Sequence, residues 1–214
     1  MSTRLFATTV SPTTEIEAVN TMLSVIGESP INSFEEIPAD VAIARNTLTE
    51  VSRAVQLEGW HWNTEDNFPL IPDSRTNELK VGPSALRVHF PDPQDKELAI
   101  RGSRIYDRVN HTYKFPSDFR VDVTITYQLP FEELPEAARR YITIRAARVY
   151  QARVVGSGTL WDFSERDEAM ARTTLMAEEH KLDRPNILKG TQPPTGTWNP
   201  MTAILNRGGN HYGR

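Results

Sequence analysis

The sequence contains no cysteine, which excludes disulfide staples and thiolate metal sites and fits synthesis in a cytoplasm. It also lacks any stretch near the ~20 apolar residues that a membrane-spanning helix needs, so no membrane partner is expected. Met1-Ser2-Thr3-Arg4-Leu5-Phe6 has no long apolar core of the kind a secretory signal carries. An excess of positive charge is missing too. Lys and Arg number 24 against 28 Asp and Glu, a formal net charge of -4, whereas proteins built to grip nucleic acid carry net basic surfaces. His61, His89, His111, His180 and His211 are scattered, without paired metal-ligand spacing. No G-x-S-x-G elbow, P-loop or dinucleotide fingerprint occurs. The expectation is a soluble globular chain without metal or cofactor, long enough for one good-sized core or two small ones.

What is present begins with a well-marked helix. Ser11 and Pro12 open it, Thr14 and Glu17 stand at capping-box spacing, and Ile16, Val19, Leu23 and Ile26 form one apolar stripe. Gly27 suits a left-handed cap and Pro30 prevents resumption. A second helix starts near Pro38, carries Val41, Ala44, Leu48, Val51 and Val55 on one side, and ends at Gly59. Trp60-His61-Trp62 then place two indoles on a bend. Two helices cannot bury both stripes and these rings, so further helix must come from elsewhere in the chain.

From Asn63 to Gln128 the pattern changes to short extended runs broken by Pro, Gly, Asn and Asp. Leu86–Phe90 and Val121–Tyr127 alternate apolar with polar, and Glu97–Arg101 with Arg104–Tyr106 predict a hairpin around Gly102-Ser103. Pro69, Pro72, Pro83, Pro91 and Pro93 exclude helix here. After Leu134-Pro135-Glu136 a helix is predicted to about Val155. Its apolar residues cover most of its circumference, interrupted by Arg139, Arg140, Arg145, Arg148 and Arg153, and a helix apolar nearly all round is buried on several sides. Beyond Gly156-Ser157-Gly158, Thr159 and Asp162 offer another N-terminal cap, and Leu160, Phe163, Met170, Thr174 and Ala177 continue at helical spacing toward Leu182. The fold expected is α+β: an antiparallel helical bundle built from residues 1–62 and 129–183, an inserted small antiparallel β-domain at 63–128, and an extended C-terminal arm at 184–214.

Chemistry is harder to find. Asp92 with Asp95, and Asp66 with Asp73, lie in loops where paired carboxylates could in principle cleave a glycosidic bond; a carbohydrate-cleaving hydrolase is therefore the alternative reading. Loop carboxylates are more often plain surface. The helix arginines point all round the axis and so offer no groove-reading face. They suit ion pairs, either within the bundle or, the preferred reading, across a subunit boundary with the acidic stretch Asp162 to Glu168. Candidates for a subunit interface are Arg139, Tyr141, Ile144, Arg145, Arg148, Tyr150, Asp162 and Glu165. Residues 184–214 read either as a disordered terminus or as an arm that orders on a partner, with Trp198, Ile204, Leu205, Arg207 and Tyr212 as anchors.

Three blocks carry a resemblance. They are EAVNTMLSVIGESPINS at 17–33, SRAVQLEGWHWNTE at 52–65, and LPFEELPEAARRYI at 129–142 continuing through AARVYQ at 146–151. In this order they resemble the tail tubular protein A family of short-tailed phages. The resemblance implies a non-enzymatic virion tail protein: a gatekeeper ring, typically of twelve copies, docked beneath the portal. It also implies a nozzle partner (tail tubular protein B), help in seating tail fibres, and DNA leaving through the lumen without sequence-specific binding. Related adaptors embrace the portal with a C-terminal arm, which favours the ordered-arm reading of residues 184–214.

Overall fold

Thr14 caps the first helix, α1 (Glu15–Ile26), as its spacing to Glu17 predicts. The Thr14 hydroxyl accepts the Glu17 N–H at 3.3 Å, and the Glu17 carboxylate accepts the Thr14 N–H at 2.8 Å. Gly27 closes the helix in the left-handed region at φ 83°. The computed structural model describes residues 11–35, 38–91, 97–156 and 158–182, the side chains of 158–164 and 182 excepted; these residues belong to one compact unit that ends at Leu182.

The second helix, α2 (Ala39–Gln56), follows Pro38 and buries the predicted stripe Val41, Ala44, Leu48, Val51 and Val55. Gly59 turns the chain at φ 83°, and a Cβ there would lie 2.6 Å from Arg87 Nη2. The left-handed conformation calls for glycine, whereas the atom such a Cβ would meet is the movable end of the Arg87 side chain. Trp60 then packs into the bundle with its indole N–H donating to Val55 O at 2.7 Å, while Trp62 stacks on it at 6.4 Å.

Among the described residues five strands follow. β1 (Thr64–Leu70), β2 (Ala85–His89) and β5 (Val121–Tyr127) form an antiparallel sheet ordered β1–β5–β2. β3 (Leu98–Arg101) and β4 (Arg104–Asp107) form the predicted hairpin. Central β5 sends Val121, Val123 and Ile125 into a second core with Leu70, Leu79, Val81, Ile105 and Phe115, the period of two that a half-buried strand shows. Chain topology here is an inserted antiparallel region between two helical halves.

The remaining helices are α3 (Glu136–Val154) and α4 (Gly158–Leu182). α3 packs against α1, α2 and α4 together, and Tyr141, Ile142, Ala146 and Tyr150 are buried there. Each well-buried large apolar side chain contributes about 1.5–3 kcal/mol, so this helix anchors the bundle. α4 differs from expectation by one position. Among its described side chains Ala171 and Leu175 are buried, while Met170, Thr174 and Ala177 face outward; the side chains of Leu160 and Phe163 lie outside the described residues. Glu168 and Arg172, on the same side as Ala171 and Leu175, find partners on α3 and just beyond α2, so apolar burial and ion pairing favour the same orientation.

A side-chain lock joins bundle to sheet. Gln56 Oε1 accepts the Leu129 N–H at 2.7 Å, and its Nε2 donates to Leu129 O at 3.1 Å and Ser52 Oγ at 3.0 Å. Asn63 Nδ2 donates to Gln56 O and Tyr127 O, both at 2.8 Å. The two strands of chain that connect the β-region to the helices are thereby stitched to each other. Both amides are buried, and buried polar groups persist only when bonded in this way.

Candidate assembly surface

Of the interface candidates on α3, Arg139, Tyr141 and Tyr150 spend their side chains inside this chain. Arg139 is 8% exposed. Its Nε donates to Leu134 O at 2.7 Å, one Nη to Thr13 O at 2.9 Å and the other to Glu132 O. Glu136, one turn earlier, accepts the Thr13 N–H at 2.9 Å and the Thr13 hydroxyl at 2.6 Å. The first turn of α3 therefore grips every polar group of Thr13.

Tyr141 sits in a charged cluster. Its hydroxyl accepts from Arg172 at 2.9 Å and Arg145 at 3.1 Å. Arg172 in turn pairs with Glu58 at 2.9 Å, and Arg145 lies 3.7 Å from both Glu58 and Glu168. Arg148 also bonds Glu168. The guanidinium of Arg172 is held above its ordinary pKa by its bond to Glu58 first and to Tyr141 second. Tyr150 donates to Asp40 O at 3.2 Å, and burial pushes its phenol up.

These contacts redirect one expectation. The pairing of Arg145 and Arg148 with the acidic stretch, preferred across a subunit boundary, is made by Glu168 of the same chain. α4 runs back along α3, which brings Glu168 opposite Arg145 and Arg148, and Arg172 opposite Tyr141. The buried circumference of α3 has the same origin, because α1, α2 and α4 supply its neighbours. Glu165 is exposed. The Asp162 side chain, and the arm candidates Trp198, Ile204, Leu205, Arg207 and Tyr212, lie outside the described residues.

Half-buried Ile144 does reach an open surface. It lines a groove of about 510 Å³ between α1, α3 and α4, with Met170 and Ala171 as further apolar wall. Met170 is 56% exposed. Thr21, Thr143 and Thr174 soften the walls, and Arg140 and Asp167 bring opposite charges to them. A groove of this kind has room for a protruding side chain or two, and nothing in its lining resembles a reaction centre.

Of the carboxylates expected in loops, Asp66 lies instead in β1, and both it and Asp73 are held by hydrogen bonds within the chain. Asp66 accepts the Thr124 hydroxyl at 2.8 Å. Asp73 accepts the N–H groups of Arg75 and Thr76 and the Thr76 hydroxyl, and these bonds hold it below the usual carboxylate range. A general acid needs the opposite shift. Asp92 and Asp95 lie outside the described residues. Among the described residues no three metal-ligating side chains gather, and no helix is long and apolar enough to cross a membrane.

Residues 16–185 match the family described as tail tubular protein. The chain belongs to the tail tubular protein family. It is also similar to tail tubular protein A of Klebsiella phage KP34, with 23% identity over 175 residues, covering 78% of this chain and 86% of that protein. A tail tubular protein is a structural component of a phage tail, so the place of this chain is the virion tail. The blocks that carried the resemblance supply most of α1, the end of α2 and most of α3 in this tail tubular protein. They hold Glu17 of the α1 capping box, the lock residues Gln56 and Asn63, the turn at Gly59, and Arg139 of the clasp.

Proposed function

We propose that this tail tubular protein is the adaptor between portal and tail nozzle, forming a closed ring of twelve copies through which DNA passes and onto which tail fibres are seated. It acts by assembly and not by catalysis. The observation that carries the ring is the open groove between α1, α3 and α4, where Met170 stands more than half exposed beside Ile144. Around it the neighbouring copy would find apolar wall together with Arg140 and Asp167. Arg145, Asp162 and Glu165 are proposed to join the boundary outside the groove, Arg145 from the cluster around Tyr141. Arg139, Tyr141, Arg148 and Tyr150 serve that boundary indirectly, by fixing the helices that frame it. The portal, nozzle and fibre partners and the copy number come from the likeness to tail tubular protein A.

Residues 184–214 are proposed to reach the portal through Trp198, Ile204, Leu205, Arg207 and Tyr212. At ~3.3 Å per residue an arm of this length spans roughly 100 Å, enough to cross a neighbouring subunit.

Electron microscopy of the full chain mixed with its portal tests the ring. A closed ring seated beneath the portal is expected, and a chain that stays monomeric beside intact portal overturns the reading. Truncation after Asp183 tests the arm separately. Docking to the portal should weaken while the helical circular-dichroism signal and melting of the bundle persist; unchanged docking retires the arm.

A further inference from the structure

The β3–β4 hairpin and the chain bridged to its side sort their residues by face. Residues directly opposite across antiparallel strands share a face. Leu79, Val81 and Ile105 point into the β-region core. Lys80 and Arg104, which stand opposite each other, therefore point outward. Arg101 stands opposite Arg104 on its other side. Three cations thus form one row across three neighbouring backbones, about 10 Å from end to end at ~4.8 Å per strand.

Like charges placed directly opposite one another destabilise a sheet. Glu78 offsets part of this row, 2.8 Å from Arg104 and 4.0 Å from Lys80, and Asp73 lies 3.7 Å from Lys80. Arg101, at the exposed end, has no carboxylate partner among the described residues. Its guanidinium lies 3.7 Å over the Tyr106 ring, and that of Arg104 lies 4.3 Å over Tyr113. The two rings meet edge-on at 4.9 Å. Stacking on a ring removes rotamer freedom from a guanidinium, and a pre-ordered guanidinium fork is what bidentate carboxylate recognition uses.

We propose that this face docks a carboxylate-rich protein segment, with Arg101 and Arg104 as its anchors. That the segment belongs to another tail protein rests on the tail reading; that it is acidic rests only on the face. Nucleic acid fits less well. One face of each ring is already covered by a guanidinium of the same chain, which leaves less of a stacking platform for bases. A row this short also meets few phosphates.

The test uses the full chain and a fluorescein-labelled deca-glutamate peptide, with binding read by anisotropy at low salt. Salt-sensitive binding is expected, weakened at least about tenfold by Arg101→Gln with Arg104→Gln, the size of losing a charged hydrogen bond. Arg166→Gln, on the exposed side of α4, should leave it unchanged. Absence of peptide binding, or equal binding by the double variant, overturns the proposal. So does tighter binding of a 20-base-pair duplex or of oligo-dT than of the peptide. If the glutamine variant melts early, Arg101→Lys with Arg104→Lys decides. It keeps the charge and loses the fork, so weaker binding supports the anchors and unchanged binding removes them. No ring and no other tail protein takes part, so failure here leaves the ring reading standing, and failure of ring assembly leaves this face intact.

Discussion

Replacing Arg139 with methionine is expected to destabilise the chain by about 3 kcal/mol, read as a lower urea midpoint at unchanged slope. The methylene stem is roughly replaced, so the loss comes from the guanidinium. That group satisfies three backbone carbonyls, on Thr13, Glu132 and Leu134, and a buried acceptor left without a donor costs about 1–3 kcal/mol. No carboxylate pairs with Arg139 among the described residues, so its charge is balanced by carbonyl dipoles gathered around one fork. Lysine keeps the charge but has no fork, and should recover only part of the loss. Hydrogen exchange gives a local check, because the Thr13 amide should lose protection as the clasp opens. A methionine variant that melts like the parent would show that water replaces the guanidinium at no cost.

The position of Arg139 also shows where sequence reading stops. Its spacing on α3 placed it on a helix with apolar residues nearly all round, and such a helix needs several neighbours. Sequence periodicity cannot say whether those neighbours come from one copy or two. Here α1, α2 and α4 provide them, and the arginines among the apolar residues find carbonyls or Glu168 inside the same chain. Local signals were more readable. Thr14 with Glu17, Gly27, Pro38 and Gly59 each act through neighbours a few residues away, so the ends of α1 and α2 stood open to inspection.

Long-range polar pairing did not. Gln56 and Asn63 look like ordinary surface amides, yet their partners Leu129 and Tyr127 lie more than sixty residues on. The available signal was accounting: two chain segments leaving a bundle for an inserted sheet carry backbone groups that something must satisfy. β1 escaped for another reason. Five consecutive residues, Glu65 to Pro69, are exposed, Asn67 sits at φ 54°, and the register shifts between Glu65 and Phe68. An edge strand with a bulge has no alternation to detect. On the described part of α4 the inward side lies one residue from the expected stripe, where Ala171 and Leu175 are buried and Glu168 and Arg172 pair with neighbouring elements.

Tyr150→Ala should cost the free chain about 4 kcal/mol, the usual price of deleting a fully buried aromatic. Tyr150 is 0% exposed at the meeting of α3 with the other helices, and the rigid backbone around it can close only part of the hole. Tyr150→Phe keeps the ring and gives up a single bond, that from the hydroxyl to Asp40 O at 3.2 Å, so about 1 kcal/mol is expected. The contrast between the two isolates packing from hydrogen bonding. It also separates two roles for this residue. A core tyrosine lowers the melting temperature of the isolated chain, before any neighbour is present. A tyrosine whose ring belonged to a subunit boundary would leave that melting temperature unchanged and weaken only ring closure on the portal. Thermal melting of the free alanine variant, followed by its assembly at a temperature where it is folded, distinguishes them: early melting with normal closure places the boundary on the groove beside Ile144 and Met170, and the reverse returns it to the flank of α3.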